Sequence, residues 1–392
     1  MFGLLLALIY LIFISLGLPD AMLGSAWPSM YQDLNVPLSY CGIISFIIAI
    51  GTVFSSLMSD RLTKMIKPGI VCAVSIFITC IALFGFSISN HFWMLIVFAI
   101  PYGLGAGSID AAINNYVAIH YKSRHMSWLH CMWGIGASIG PYIMGFALTY
   151  NDSWKSGYLY VSMLQIVLAI IAFGALPLWK KNETEEEKKE QTREVIPFKE
   201  LFRISGVIPL FICFFCYSAV EQTSILWGSS YLVLNNQIAE EIAANFASLF
   251  LIGITVGRFL NGFLAYKLDD KNLIRLGQSI IFIGIILIFI PNDIATLMGL
   301  FLVGFGCAPI YPCIIHSIPI RFGTKYSQAI IGFQMAIAYL GTCLMPPLFG
   351  IIANNISISL LPVYLGCFLI LMIIMHEYML KKVKLGGYSN IS

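Results

Sequence analysis

Twelve runs of mostly apolar residues, each long enough to cross a bilayer, constrain this chain more than any other feature. A spanning helix needs about 20 predominantly apolar residues, and only 10% of the 392 residues are charged. Continuous runs with interior Gly and Pro favour helices over the alternating segments of a membrane barrel. The sequence therefore predicts an all-α polytopic membrane protein, with spans at residues 3–31, 39–59, 69–89, 92–119, 126–150, 156–179, 206–234, 242–266, 273–291, 294–319, 327–352 and 356–379.

The basic residues predict how these spans are oriented. Loops on the cytoplasmic side of a membrane protein carry an excess of Lys and Arg. Of the 22 basic residues, 20 fall on one side of the predicted topology, which we call the basic face, whereas Lys155 falls on the other and Arg258 within a span. The first residues, MFGLLLALIY, lack the basic flank of a signal peptide, so we expect them to begin the first span. We therefore expect a multi-pass plasma membrane protein with both termini in the cytoplasm.

A charged segment divides the spans into two groups of six. Residues 180–203, KKNETEEEKKEQTREVIPFKELFR, hold seven basic and seven acidic residues; such a run is usually a solvated linker, and regulation by a partner is the alternative. We expect an N-terminal six-helix bundle at 1–179, a cytoplasmic linker at 180–205 and a C-terminal six-helix bundle at 206–392. One pattern recurs 200 residues later: Trp27-x3-Tyr31-x2-Leu34-Asn35 matches Trp227-x3-Tyr231-x2-Leu234-Asn235. Parallel six-span repeats are typical of transporters that bind substrate near the membrane midplane.

Several motifs distributed over nearly the whole chain resemble one transporter family. They are Gly17-Leu-Pro-Asp20-Ala, Ser59-Asp60-Arg61-Leu62-x-Lys64, Gly105-Ala-Gly107-Ser-Ile-Asp110-Ala-Ala-Ile-Asn114, Tyr217-x3-Glu221 and Gly253-x3-Gly257-Arg258. Together they resemble the major facilitator superfamily and, within it, the fucose permease branch of fucose/galactose/glucose:proton symporters. The second motif departs from the loop motif of the superfamily, because Ser56 and Thr63 replace its usual glycines.

The resemblance implies a fold of two pseudo-symmetric six-helix bundles and assigns roles to individual residues. By motif, Asp20 and Asp110 correspond to the acids tied to proton coupling and sugar binding, and Asn114 to an Asn of the fourth span. Asp60, Arg61 and Lys64 correspond to a loop that gates the cytoplasmic side. The fifth span departs from the family, since His130 stands in place of a Gln and Trp133 in place of an Asn. This departure leaves the particular sugar open.

Three acids lie deep within predicted spans, independently of any resemblance. Asp20, Asp110 and Glu221 each fall roughly midway along a span, where a charge costs at least about 2.5 kcal/mol. Such a residue needs a cavity, a partner or a proton, and low dielectric favours the protonated form of a carboxyl group. We expect these three to take part in proton coupling; the alternative for each is a structural hydrogen bond between helices.

Other polar and aromatic residues within spans are candidates for lining the pathway. Arg258 needs a carboxylate counter-ion, for which Glu221 is one candidate, unless its side chain reaches the cytoplasmic interface. His130 and His316 either carry a proton or bind substrate; the alternative is that each forms a structural contact with a neighbouring helix. Trp27 and Trp227, in the first and seventh spans, either line the pathway or belong to the belts of aromatic residues at the membrane interfaces. The remaining candidates for recognising substrate are Trp27, Trp227, Trp133, Gln222, Tyr311 and Gln334.

These observations predict a proton-coupled secondary transporter that imports a monosaccharide or a related polar solute by alternating access. The run Gly134-x-Gly136-x3-Gly140-Pro141 also resembles the fifth-span signature of drug:proton antiporters, so an exporter of amphipathic compounds is the alternative; close helix packing would also explain it. Sequence signatures of an ATP-driven pump or a metalloprotease are absent, which argues against an enzyme. The ten Cys are scattered and predict no metal site or disulfide framework. We expect no cofactor, no nucleic acid partner, and a monomer in the lipid bilayer.

Overall fold

A computed structural model describes residues 2–37, 40–151, 153–181, 196–238 and 240–385. The chain divides into two compact units. The first comprises Met1–Tyr116 and Met132–Ile196, and the second comprises Val117–Cys131 and Pro197–Ser392. The second unit thus includes the turn between the fourth and fifth spans, which we call the 4/5 hairpin (residues 117–131).

A helix occupies each of the twelve predicted runs, which confirms the all-α prediction. The helices of spans one to six are Phe2–Gly17 with Met22–Asp33, Cys41–Leu57 with Ser59–Ile66, Pro68–Ser87, Phe92–His120, Ser123–Asn151, and Trp154–Gly174 with Leu176–Lys181. After a short helix at Phe198–Leu201, those of spans seven to twelve are Val207–Leu234, Glu240–Leu264, Asp270–Phe289, Asp293–Phe322, Thr324–Asn355, and Ile358–Leu360 with Leu361–Leu385.

The described helices differ in how fully they satisfy the requirements of a membrane span. Ten are long and apolar enough, and the second span is an eleventh if its two helices, bent by 59° at Met58, are counted together. The eighth span is a helix of 25 residues over Glu240–Leu264. Many large apolar side chains are exposed, among them Phe46, Trp93 and Tyr142, as expected where the surrounding solvent is lipid.

The first span is broken, although the sequence predicts one continuous run. Its helix ends at Gly17 and resumes at Met22, and the intervening backbone makes tight turns such as Asp20 N–H to Gly17 O at 3.1 Å. Pro19 has no backbone N–H and therefore cannot continue the ladder of helical hydrogen bonds. The break places Asp20 outside both helices, midway along the span.

The described ends of the linker are anchored in different units, while residues 182–195, which contain most of its predicted charge run, lie outside the described residues. Ile196 N–H donates to Asp60 Oδ2 at 3.3 Å in the first unit. In the second unit, Ser205 Oγ donates to the carbonyl oxygen of Lys382 at 3.2 Å. The chain therefore leaves the first unit immediately after a buried hydrogen bond to Asp60.

Candidate functional site

The first unit holds Asp20 between two aromatic donors. Tyr102 Oη donates to Asp20 Oδ1 at 2.9 Å, and Trp133 Nε1 donates to Asp20 Oδ2 at 2.8 Å. Tyr102 is buried and Trp133 is half-buried, whereas Asp20 is exposed although it lies midway along a span. Both carboxylate oxygens are therefore oriented by hydrogen bonds while the group remains accessible.

Glycines bring Trp133 to Asp20 by letting the first and fifth spans approach closely. A Cβ on Gly136 would lie 2.1 Å from the carbonyl oxygen of Ile14, and a Cβ on Gly17 would lie 2.2 Å from that of Trp133. A Cβ on Gly140 would likewise lie 1.9 Å from the carbonyl oxygen of Leu18. Small residues allow such backbone contact between membrane helices. The glycine run of the fifth span therefore has a packing role that also builds the Asp20 site.

Asp110 is buried next to Asn114, one helical turn further along the fourth span. Asn114 Nδ2 donates to Asp110 Oδ1 at 2.8 Å and to the backbone carbonyl of Asp110 at 2.9 Å. Asp110 is 6% exposed and Asn114 is fully buried. Asp20 belongs to the same unit, and its hydrogen-bond donor Tyr102 lies on the same helix as Asp110, eight residues before it. The first unit thus brings together two acids that are far apart in sequence.

The second span holds the fourth span in place beside Asp110. Ser56 Oγ donates to the carbonyl oxygen of Gly107 at 3.3 Å, and Thr52 Oγ1 donates to that of Gly103 at 3.2 Å. A Cβ on Gly107 would lie 2.3 Å from the carbonyl oxygen of Thr52. This close contact fixes Asp110 on a packed helix face.

The third predicted acid, Glu221, lies in a separate cluster in the second unit. Tyr217 Oη donates to Glu221 Oε1 at 2.7 Å, and Arg258 Nη2 lies 3.4 Å from the same oxygen. The Arg258 guanidinium stands 5.9 Å from the centre of the Tyr311 ring. The centres of the Tyr311 and His130 rings are 4.6 Å apart. Glu221 and Arg258 are 9% and 4% exposed. Arg258 is therefore paired with Glu221 within the span.

Two predicted tryptophans take part in helix packing. Trp27 is 4% exposed within an apolar core of the first unit, where its ring meets that of Phe92 edge to face. Trp227 Nε1 donates to the carbonyl oxygen of Pro346 at 2.8 Å, and its ring covers Gly350.

The two predicted glutamines differ in burial. Gln222 is half-buried. Gln334 is fully buried, and its amide nitrogen and oxygen have no hydrogen-bond partner among the described residues.

The predicted gating residues lie at the bend of the second span. Asp60 is 6% exposed and accepts from Lys64 Nζ at 3.0 Å as well as from Ile196 N–H. Arg61, the neighbouring residue, is exposed. Asp60 therefore connects the second span to the end of the linker.

Sequence reasoning missed two polar residues that the structure makes prominent. Tyr102, a partner of Asp20, lies in the fourth span, and its spacing of eight residues from Asp110 carried no signal of a contact with the first span. The predicted bounds of the ninth span, 273–291, leave Asp270 in a loop, whereas the helix begins at Asp270 itself. In the parts of the chain that the structure describes, no three His, Cys, Asp or Glu side chains could together hold a metal ion.

Comparison with known proteins shows one family, and the relatives within it differ in what their names say they carry. A family model described as Major Facilitator Superfamily matches residues 9–237 and 210–385. The glucose/mannose transporter GlcP of Bacillus subtilis (strain 168) is 26% identical over 362 residues, covering 90% of this chain and 88% of that protein. The quinolone resistance protein NorA of Staphylococcus aureus (strain COL) is 22% identical over 340 residues, covering 84% of this chain and 82% of that protein.

A solved structure supports the same fold. A crystal structure of the E. coli fucose:proton symporter FucP superposes with a TM-score of 0.78, covering 96% of this chain and 98% of that one at 14% identity. At this identity the likeness establishes the fold.

Proposed function

The chain belongs to the Major Facilitator Superfamily, and from that premise we propose that it is a proton-coupled importer of a monosaccharide or a related polar solute. It is a membrane transporter by family, with relatives that are transporters rather than enzymes. The observation that carries the proposal is the presence of two intramembrane acids, Asp20 and Asp110, in one unit, where each is held by neutral hydrogen-bond donors. We further propose that it works as a monomer in the plasma membrane with both termini in the cytoplasm.

The hydrogen bonds around Asp20 suit a carboxyl group that gains and loses a proton. Trp133 Nε1 can only donate, so Oδ2 must accept in either protonation state. Tyr102 Oη can donate or accept, so a proton on Oδ1 would reverse that hydrogen bond without breaking it. Asp20 can therefore exchange a proton at little structural cost. Tyr102 lies on the same helix as Asp110, and we propose that the protonation of the two acids is coupled through this helix.

The relatives support a monosaccharide as the substrate class. GlcP is a glucose/mannose transporter by name, and the structural neighbour is a fucose:proton symporter. In this chain the half-buried Trp133 supplies an aromatic face next to Asp20, whereas Asn114 is fully buried and its amide is engaged by Asp110. Aromatic rings pack against the apolar faces of sugars.

An exporter of amphipathic compounds remains the second candidate. The similarity to NorA favours it, as does the glycine run of the fifth span. That run, however, is explained by the contact between the fifth and first spans at Gly136 and Gly140. It therefore favours neither transport direction.

The test is uptake by proteoliposomes containing the purified protein. Labelled hexoses and a labelled amphipathic cation are offered with and without an imposed pH gradient, acidic outside. We expect a hexose to accumulate only with the gradient, and Asp110→Asn to abolish accumulation while leaving exchange of labelled for unlabelled hexose. Asp33→Asn is the matched control, because Asp33 lies at the far end of the first span, where it accepts from Trp154 Nε1, and it should accumulate hexose normally. Gradient-driven accumulation in Asp110→Asn would remove Asp110 from proton coupling, and extrusion of the cation would favour the exporter.

A further inference from the structure

The 4/5 hairpin is fastened to the eighth span within the second unit. Trp128 Nε1 donates to the carbonyl oxygen of Phe259 at 3.3 Å, and Asn261 Nδ2 donates to Ser127 Oγ at 2.6 Å. Arg124 lies over the ring of Tyr266, 4.5 Å from its centre. The groups in these three contacts do not themselves titrate in the range of histidine, although Arg124 Nε also donates to His125 Nε2 at 3.2 Å.

A buried pair of titratable groups holds the start of the same hairpin. His316 Nδ1 lies 2.6 Å from Asp270 Oδ2, and His316 Nε2 lies 2.9 Å from the carbonyl oxygen of Tyr121. Ser123 Oγ donates to Asp270 Oδ1. His316 and Asp270 are 8% and 9% exposed. Three helices therefore meet at one imidazole and one carboxyl group.

The atoms in these contacts fix how many protons the pair carries. A backbone carbonyl can only accept, so His316 Nε2 must bear a hydrogen. The contact between Nδ1 and Oδ2 needs a second hydrogen, either on the imidazole or on the carboxyl group. A neutral imidazole beside a carboxylate has only one hydrogen for both contacts. The observed arrangement therefore holds one proton more than that state.

Other charged or titratable groups surround the pair. Arg321, on the same helix as His316, interacts electrostatically with Asp270 and with Asp269. On the hairpin, His125 interacts with His316 and is itself flanked by Lys122 and Arg124. Cys313, one turn before His316, contacts Ser123 Oγ at 3.8 Å. The nearby cations disfavour an added proton on the pair, and the Asp270 carboxylate favours it.

We propose that His316 and Asp270 form a proton-binding site, separate from Asp20 and Asp110, whose occupancy fastens the 4/5 hairpin to the second unit. When the proton leaves to water, the pair changes from neutral to a single negative charge. The remaining hydrogen stays between Nδ1 and Asp270, because a hydrogen bond to a carboxylate is the stronger of the two. Nε2 then presents a lone pair to the Tyr121 carbonyl, and that contact is lost.

This site links a proton to the 4/5 hairpin, which the positions of the basic residues assign to the basic face. The hairpin joins the fourth span, which carries Asp110, to the fifth, which carries Trp133. Loss of the proton would therefore loosen the hold of the second unit on the turn that joins these two helices. The His316–Asp270 site does not depend on which solute the protein carries.

Amide hydrogen exchange of residues 121–128 tests the proposal on the full-length protein without substrate. Rates are measured at about pH 5.5 and about pH 8, which bracket the range in which histidine titrates, and are divided by the intrinsic rates at each pH. We expect the corrected exchange to be faster at the higher pH, by several-fold to about a hundredfold, the range expected for loss of one buried hydrogen bond. Asp270→Asn should exchange slowly at both pH values, because its amide donates to His316 Nδ1 and leaves the Nε2 hydrogen for the Tyr121 carbonyl. His316→Gln, which has no group that titrates in this range, should show no pH dependence.

Asp269→Asn is the matched control, because Asp269 is exposed and caps the same helix by accepting from Asn272 N–H at 2.9 Å. It should keep the wild-type pH dependence. A histidine carbon NMR titration of the wild-type protein, in which the His316 signal is identified by its loss in His316→Gln, should give the same midpoint as the exchange data. Exchange that is independent of pH in the wild-type protein, or still dependent on pH in both variants, would overturn the proposal, as would a His316 signal that does not titrate.

Discussion

Replacing Gly136 by Ala should both destabilise the protein and disturb the Asp20 site. The added Cβ would lie 2.1 Å from the carbonyl oxygen of Ile14, whereas Cβ contacts under 3.0 Å are essentially never seen in proteins. The first and fifth spans must therefore separate locally by roughly 1 Å. Overpacking of this kind costs about 1–3 kcal/mol. The same displacement would stretch the 2.8 Å hydrogen bond from Trp133 to Asp20 beyond the usual limit of about 3.2 Å.

The assay is thermal unfolding in detergent, followed by a dye that reacts with exposed thiols. The first unit supplies buried reporters in Cys72 and Cys80. Gly145→Ala is the matched control on the same helix, since nothing lies within 4 Å of its Cβ. It should be neutral or stabilise by up to about 1 kcal/mol, because Ala is the better helix former. Equal unfolding temperatures for the two variants would refute the close-packing argument.

Three further predictions concern other contacts. Arg258→Met should destabilise the protein by about 3–5 kcal/mol, because Glu221 is left buried without its counter-ion. Adding Glu221→Gln should recover much of this loss, as measured by thermal unfolding of the two single variants and the double variant. Asp60→Ala, unlike Asp60→Asn, should accelerate amide exchange at Ile196, because only alanine removes the acceptor of its N–H. Gly262→Ala should accelerate exchange in the 4/5 hairpin at all pH values, because its Cβ would lie 2.0 Å from Trp128 Nε1.

The spans and the family were accessible from sequence because their signals are local. Hydrophobic length predicts each helix, and motifs such as Gly17-Leu-Pro-Asp20 carry the resemblance that the family match confirms. The break at Pro19 was missed because an apolar run of this length hides a single interruption. The bend at Met58 likewise follows an apolar helix with no Pro or Gly at the break.

The geometry of the sites was not accessible, because it depends on contacts between distant residues. Trp133 lies 113 positions from Asp20 in the chain, and His316 lies 46 from Asp270. Nothing in the pattern around Asp270 indicates a buried residue, since Asp269 and Lys271 flank it in a polar loop sequence. The sequence places Trp133 and Asp20 on named spans, but only helix packing through Gly136 brings them together.

The most direct test of the central claim is the direction of proton movement caused by substrate. Proteoliposomes without any imposed gradient are suspended in weakly buffered medium, a hexose is added outside, and the external pH is recorded. Proton-coupled import predicts that the medium becomes alkaline as protons enter with the sugar, and that Asp110→Asn shows no such change. Acidification of the medium on adding substrate, or sugar uptake without any change in pH, would contradict the account.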